Sequence, residues 1–122
     1  MKTTAETGRW GEQVAVDRLR AEGCMIVERN WRCGRLEIDI IALDRTGCLR
    51  FVEVKTRTAG GWESAEAAIT PSKRRALMRA ASAYMAGRPG YDDFRFDLIA
   101  VEYSPDGSFV VRCIEDFIEC HW

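Results

Sequence analysis

The sequence predicts a single α/β domain, and three observations carry that reading. A segment of helical period opens the chain, short runs rich in β-branched residues follow between turn signals, and a second capped helical segment interrupts those runs. With 122 residues the chain is long enough to bury its own core without disulfides or structural metal. No repeat, linker or low-complexity stretch divides it, so residues 1–122 are read as one unit.

The first helix is expected from about Thr4 to Glu22, with Gly23 as its C-terminal stop. On a helical wheel Ala5, Gly8, Ala15, Val16 and Leu19 share one stripe, and Glu12 lies in the middle of it. Met25 to Arg32 reads as a strand. Leu36 to Leu43 and Cys48 to Thr56 form a hairpin around Asp44-Arg45-Thr46-Gly47. After the loop Ala59-Gly60-Gly61, Thr70 as N-cap and Pro71 at the first helical position start a second helix that ends near Gly87. Phe94 to Val101 alternates as a strand. The turn Ser104-Pro105-Asp106-Gly107 leads to a last strand from Phe109 to Ile114, and the tail to Trp122 is expected to make a short helical turn.

The hairpin holds the chemistry. Side chains alternate along a strand, so Glu37, Asp39 and Ile41 share a face, as do Phe51, Glu53 and Lys55. A hairpin centred near Thr46 sets Asp39 opposite Glu53 and Glu37 opposite Lys55, with facing Cβ atoms about 5 Å apart. Facing carboxylates repel, and these stand amid Ile38, Ile40, Ile41, Val52 and Val54. A bridging cation resolves the conflict, and hard oxygen ligands point to Mg²⁺ or Mn²⁺. Glu12 on its apolar stripe is costly to bury ionised. It either pairs with a base or water at the sheet edge, or it approaches the same cation, helped by the close approach that Gly8 and Gly11 permit.

A formal net charge of −1 gives no bulk argument for nucleic acid, so any such partner needs a local patch. Lys73, Arg74 and Arg75 crowd the first turn of the second helix, with Arg79 one turn on, where cations oppose the helix dipole. An anion reverses the sign of that cost, which makes the turn a candidate dock for a nucleic-acid phosphate. Lys55-Thr56-Arg57 is a second basic patch. For both, the plain alternative is solvated surface charge.

No apolar run approaches a membrane span and the start lacks the apolar segment of a secretory signal, so a cytoplasmic protein is expected. Five cysteines without C-x-x-C spacing read as reduced thiols, and Cys120-His121 is a weak metal signal.

An acidic residue followed across a hairpin by Glu-x-Lys resembles the core of the PD-(D/E)xK nuclease superfamily. The blocks Gly8-Arg9-Trp10-Gly11-Glu12, Arg29-Asn30-Trp31-Arg32, Glu37 to Ala42, Phe51 to Arg57, Lys73 and Arg95-Phe96-Asp97 look like those of the bacterial YraN family, described as uncharacterised and endonuclease-like. The likeness covers nearly the whole chain. It implies a restriction-endonuclease-like fold, a central mixed sheet of about five strands flanked by helices in the order α-β-β-β-α-β-β. It also implies Asp39 and Glu53 as metal ligands, Lys55 as the catalytic ammonium and Glu12 as a fourth member, with Glu37 a further candidate for the metal shell. Two positions depart from the pattern: Ile38 stands where the superfamily has Pro, and Leu36 where the family usually has Gly, with Gly34 two positions earlier.

The expected activity is Mg²⁺- or Mn²⁺-dependent phosphodiester hydrolysis, with DNA, branched or single-stranded, as the substrate that the resemblance favours. Lys73, Arg74, Arg75 and Arg57 are the candidate nucleic-acid contacts, and a homodimer is an open possibility. The rival readings are a nucleic-acid-binding or repair-accessory module with little cleavage of its own, and a structural domain in which the charged pairs are plain cross-strand ion pairs.

Overall fold

The computed structural model describes residues 3–118. Helix α1 (Thr4–Ala21) is started by Thr3, whose hydroxyl accepts from the Glu6 amide at 3.1 Å. It ends at Glu22 before Gly23, where φ is +90°. A Cβ on Gly23 would meet only the movable guanidinium end of the exposed Arg45, so it is the positive φ that calls for glycine. Strands β1 (Met25–Cys33), β2 (Leu36–Leu43) and β3 (Leu49–Thr58) form an antiparallel meander. In the β2–β3 turn, Asp44 Oδ1 accepts from the Thr46 and Cys48 amides at 2.9 and 3.0 Å.

The crossover then carries helix α2 (Ala65–Ala68) and helix α3 (Pro71–Ala86) before strand β4 (Phe94–Tyr103), which runs parallel to β3. Strand β5 (Phe109–Ile114) closes the sheet antiparallel to β4, giving the order β1-β2-β3-β4-β5. This is the expected α/β architecture, a mixed five-stranded sheet with α1 on one face and α3 on the other. Alternate residues assign the faces. Ile41, Leu49 and Phe51 pack with Leu77, Ala80 and Tyr84 of α3. Ile40, Ala42 and Val52 pack with Ala15, Val16 and Leu19 of α1.

Two boundaries differ from the sequence reading. The β3–β4 ladder continues through Thr56↔Val101 to Thr58↔Tyr103, so both strands outlast their apolar runs. The short α2 was not foreseen, because one turn shows no periodicity, although Ser64 caps it by accepting from Ala67 at 3.1 Å. Ala5 is exposed, so the buried stripe of α1 is Gly11, Ala15, Val16 and Leu19. The helical turn expected in the tail is not formed over residues 115–118, which make a plain turn and a bend, and Cys120 and His121 lie outside the described residues.

Asp97 organises the opposite end of the α1 face. It is wholly buried, accepts from the Asp116 amide at 2.9 Å, and faces Arg95 at 3.2 Å and Arg50 at 3.7 Å. Arg50 also reaches Asp44 at 3.3 Å and Glu22 at 3.4 Å, which ties the end of α1 to the β2–β3 turn. Burial pushes the Asp97 carboxyl up, against the lowering by the Asp116 amide and the two guanidiniums.

Candidate metal and active site between parting strands

The β2–β3 pairing runs only from Leu43↔Leu49 to Ile40↔Val52. Beyond it β2 stays paired with β1 as far as Leu36, and β3 stays paired with β4 as far as Thr58. The two strands therefore part, and Asp39 and Glu53 are the first residues past the fork. The ladder stops one step short of the predicted pair: its register, continued past Ile40↔Val52, would set Asp39 opposite Glu53. Glu37 opposite Lys55 is not realised. Glu37 instead pairs with Arg32 of β1 at 3.6 Å, in line with its cross-strand place beside β1.

At the fork the Asp39 carboxylate replaces the missing strand partner, with Oδ2 accepting from the Val54 amide at 2.9 Å. Glu53 is buried and its Oε2 has no hydrogen-bond donor; the nearest cation is Lys73 Nζ of α3 at 3.7 Å. Burial pushes both acids up, Asp39 to about 6 and Glu53 to about 7. For Asp39 the Val54 hydrogen bond works against burial while the Glu12 charge adds to it, and for Glu53 the Asp39 charge adds to burial while Lys73 and Lys55 oppose it. A half-buried and a buried acid side by side, with Glu53 Oε2 lacking a hydrogen-bond donor, suit a small divalent cation.

A recess of about 450 Å³ opens over the pair and is lined by Glu12, Asp39, Glu53 and Lys55 with Thr7, Gly8, Thr56 and Tyr103. All four catalytic candidates therefore share one concavity. Glu12 is delivered by α1 through Gly11: a Cβ there would lie 1.8 Å from Thr56 Oγ1 and 2.9 Å from Thr56 Cβ. Gly8, by contrast, has nothing within 4 Å of such a Cβ, so only Gly11 is needed for close packing. Gly11→Ala is expected to push α1 off β3 at a cost of about 1–3 kcal/mol, with Thr56→Ala restoring part of it. Thermal unfolding of the single and double variants checks this.

Among the described residues no three His, Cys, Asp or Glu groups form a cluster able to hold a metal ion. Two acids are sufficient for Mg²⁺, which keeps several waters and is commonly held by one or two carboxylates together with substrate phosphates.

The basic candidates separate. Lys73 points to Glu53 and so belongs to the carboxylate centre. Arg74 is directed into the fold: its guanidinium donates to Phe117 O at 2.9 Å, Glu66 O at 3.0 Å and Ile69 O at 3.3 Å, and it lies over the Phe117 ring. Three of its five N–H groups are thus engaged by carbonyls of the fold, a structural role that the reading of Arg74 as a phosphate contact did not foresee. Arg57 is likewise committed, donating to Glu63 O and facing Glu102 at 4.0 Å. Arg75 is exposed and lines, with Met78, Arg79 and Ser82, a roomier cleft of about 550 Å³ that holds no carboxylate. Sequence reasoning did not single out Thr7 or Tyr103, which join the recess only because the ends of α1 and β4 meet there.

A mixed five-stranded sheet that parts over Asp39 and Glu53, with a lysine beside them and helices on both faces, defines an α/β protein with an acidic recess at the fork of its strands. The model of the "Uncharacterised protein family UPF0102" matches residues 11–101, and the chain belongs to that family. A UPF0102 protein of Oleidesulfovibrio alaskensis is 50% identical over 95 residues, covering 77% of this chain and 46% of its own length. Another, from Chlorobium phaeobacteroides, is 46% identical over 97 residues, covering 79% and 76%. A third, from Mycolicibacterium vanbaalenii, is 42% identical over 101 residues, covering 82% and 83%. The chain thus spans about half of the first of these relatives. Among solved structures, SfsA of Pyrococcus furiosus in complex with Ca²⁺ aligns with a TM-score of 0.45 at 17% identity, over 89% of this chain and 62% of that one.

Proposed function

We propose that the recess is the active site of a metal-dependent nuclease that hydrolyses phosphodiester bonds in DNA. The observation that carries this reading is the buried Glu53 Oε2 without a donor, set beside Asp39 where the strands part. Asp39 and Glu53 would hold Mg²⁺ or Mn²⁺, with Glu12 and Glu37 in the surrounding water shell. When bound, such an ion polarises the phosphate and lowers the pKa of the attacking water.

The remaining steps belong to the chain. Asp39 keeps one oxygen fixed by the Val54 amide, which orients the carboxylate. Lys55, on the wall of the recess, orients the water and offsets charge on the phosphorus centre. Lys73 balances Glu53 and stands ready to meet a substrate phosphate at the same centre. The substrate we propose is DNA, branched or single-stranded. No helix among the described residues is long and apolar enough to cross a membrane. Four described cysteines are free thiols, which supports a cytoplasmic setting.

A second reading, a nucleic-acid-binding or repair-accessory module on the same fold, is favoured by the ion pair in which Lys73 already answers Glu53 at 3.7 Å. Incubating the protein and Mg²⁺ or Mn²⁺ with labelled linear, single-stranded and branched DNA separates the two. Cleavage is expected, and Lys55→Ala should reduce it on the order of 10²- to 10³-fold while keeping metal affinity. Metal binding without cleavage of any of these DNAs would leave the module reading in place.

A further inference from the structure

We infer that Asn30 is a positioning residue for the carboxylate centre: its left-handed backbone turns the β1–β2 pair over at the one step that aims Asp39 across the fork. The inference rests on the nuclease reading of the recess, because what Asn30 positions is a ligand of the proposed cation. Among the described residues two that are not glycine take positive φ, Asp116 at +53° and Asn30 at +51°. Asp116 lies in a turn, where that conformation is ordinary, whereas Asn30 lies inside β1. A left-handed residue within a strand is strained, and such strain persists only where the surrounding structure holds it.

The strain has a visible result. Side chains alternate along a strand, so Arg29 and Trp31 should share one face, as should Ile38 and Ile40. They do not. Arg29 Nη1 donates to Gln13 of α1 at 3.2 Å, and Ile40 packs with the α1 cluster. Trp31 meets the Tyr84 ring of α3 edge-on with centroids 5.2 Å apart, and Ile38 packs with the α3 cluster. Arg29 pairs with Ile40 and Trp31 with Ile38, so both strands change faces at the same step, where Asn30 and Asp39 stand. Asp39 therefore joins neither apolar face. Its Oδ2 reaches across the fork to the Val54 amide of β3, beside Glu53.

Asparagine supplies backbone freedom at this step. Its side chain is exposed, so the core places no demand on an amide there. Asparagine takes positive φ more readily than most residues, and the β-branched residues that a strand favours take it least. The same change of face anchors both helices beside the site: Gln13 adjoins Glu12 on α1, and Tyr84 lies on the helix that carries Lys73.

The test compares the parent with Asn30→Gly, Asn30→Ala and Asn30→Val, a series ordered by tolerance of positive φ and not by polarity. Two quantities are read well below the unfolding temperature: hydrogen exchange of the Val54 amide in the metal-free protein, and Mn²⁺ affinity by calorimetry. Asn30→Gly should match the parent in both. Asn30→Ala should fall between, and Asn30→Val should lose Val54 protection and weaken Mn²⁺ binding on the order of 10- to 100-fold while keeping a cooperative thermal transition. Should Asn30→Val not fold, Asn30→Gly and Asn30→Ala decide on the same terms. A lower unfolding temperature with both readouts unchanged, in a series whose parent binds Mn²⁺ and cleaves DNA, overturns the inference and leaves the nuclease reading standing. Loss of both readouts in Asn30→Gly to the extent seen in Asn30→Ala also overturns it, because the side chain and not the backbone is then responsible. A parent that takes up no Mn²⁺ overturns the nuclease reading; Val54 exchange, which needs no metal, then upholds or overturns the positioning of Asp39 by itself.

Discussion

Replacing Glu53 by Gln should raise the stability of the metal-free protein at pH 8 and leave it nearly unchanged at pH 4. The sign follows from the raised acid. Its folded-state value of about 7 lies above the ordinary 4.5, so the folded protein holds the proton where the unfolded chain has released it. Stability therefore falls as pH rises from about 4 to about 7, and above that the ionised carboxylate opposes folding in full. The amide removes this penalty, and the expected gain is about 1–3 kcal/mol, limited because Lys73 loses its counter-charge.

Asp39→Asn should act in the same direction, since its amide oxygen can still accept from Val54. The two gains should not add, because neutralising either acid lets the other ionise more easily. Urea unfolding across this pH range, with the metal chelated, provides the measurement. A loss of stability at pH 8 in both variants would mean that the acids are held by cations of the chain and have no need of an added ion.

The largest loss is expected at the opposite end of the α1 face. Asp97→Ala should destabilise the protein by about 3–5 kcal/mol, because it leaves Arg95 and Arg50 beside a buried gap and frees the Asp116 amide. Asp97→Asn should cost less, as it still accepts from that amide. Arg50 retains Asp44 and Glu22, so Arg95 is the more exposed to the loss of charge. Denaturant titration of both variants reads this directly; equal stability of Asp97→Ala and the parent would remove Asp97 from its place as the organiser of that end.

The contrast between these two acidic positions explains what the sequence made legible. Period-two alternation and the Asp44–Gly47 turn are enough to place β2 and β3 in register from Leu43↔Leu49 to Ile40↔Val52, which brings Asp39 and Glu53 to the fork. Glu12 was visible as a charge on an apolar stripe, and it does line the recess. The parting of β2 and β3 was not visible, because residues past Ile40 and Val52 still read as strand; this is why Glu37 was expected against Lys55 and meets Arg32 instead.

Basic side chains were harder still. Their charge is plain in the sequence, but which carbonyls lack donors depends on chain turns far apart, and Arg74 is drawn to Phe117 and Glu66 for that reason. Asp97 hid in the same way: its strand is buried on both faces from Phe96 to Val101, and an acid after Arg95-Phe96 looks like an outward polar residue until Arg50 and Asp116 are brought to it.

The central claim, a divalent cation held by Asp39 and Glu53, is tested most directly by calorimetric titration with Mn²⁺ of the parent, Asp39→Asn, Glu53→Gln and Lys55→Ala. The parent and Lys55→Ala should bind the ion with similar affinity, and the two carboxylate variants should show no binding while remaining folded. Unchanged Mn²⁺ affinity in both Asp39→Asn and Glu53→Gln would contradict the account.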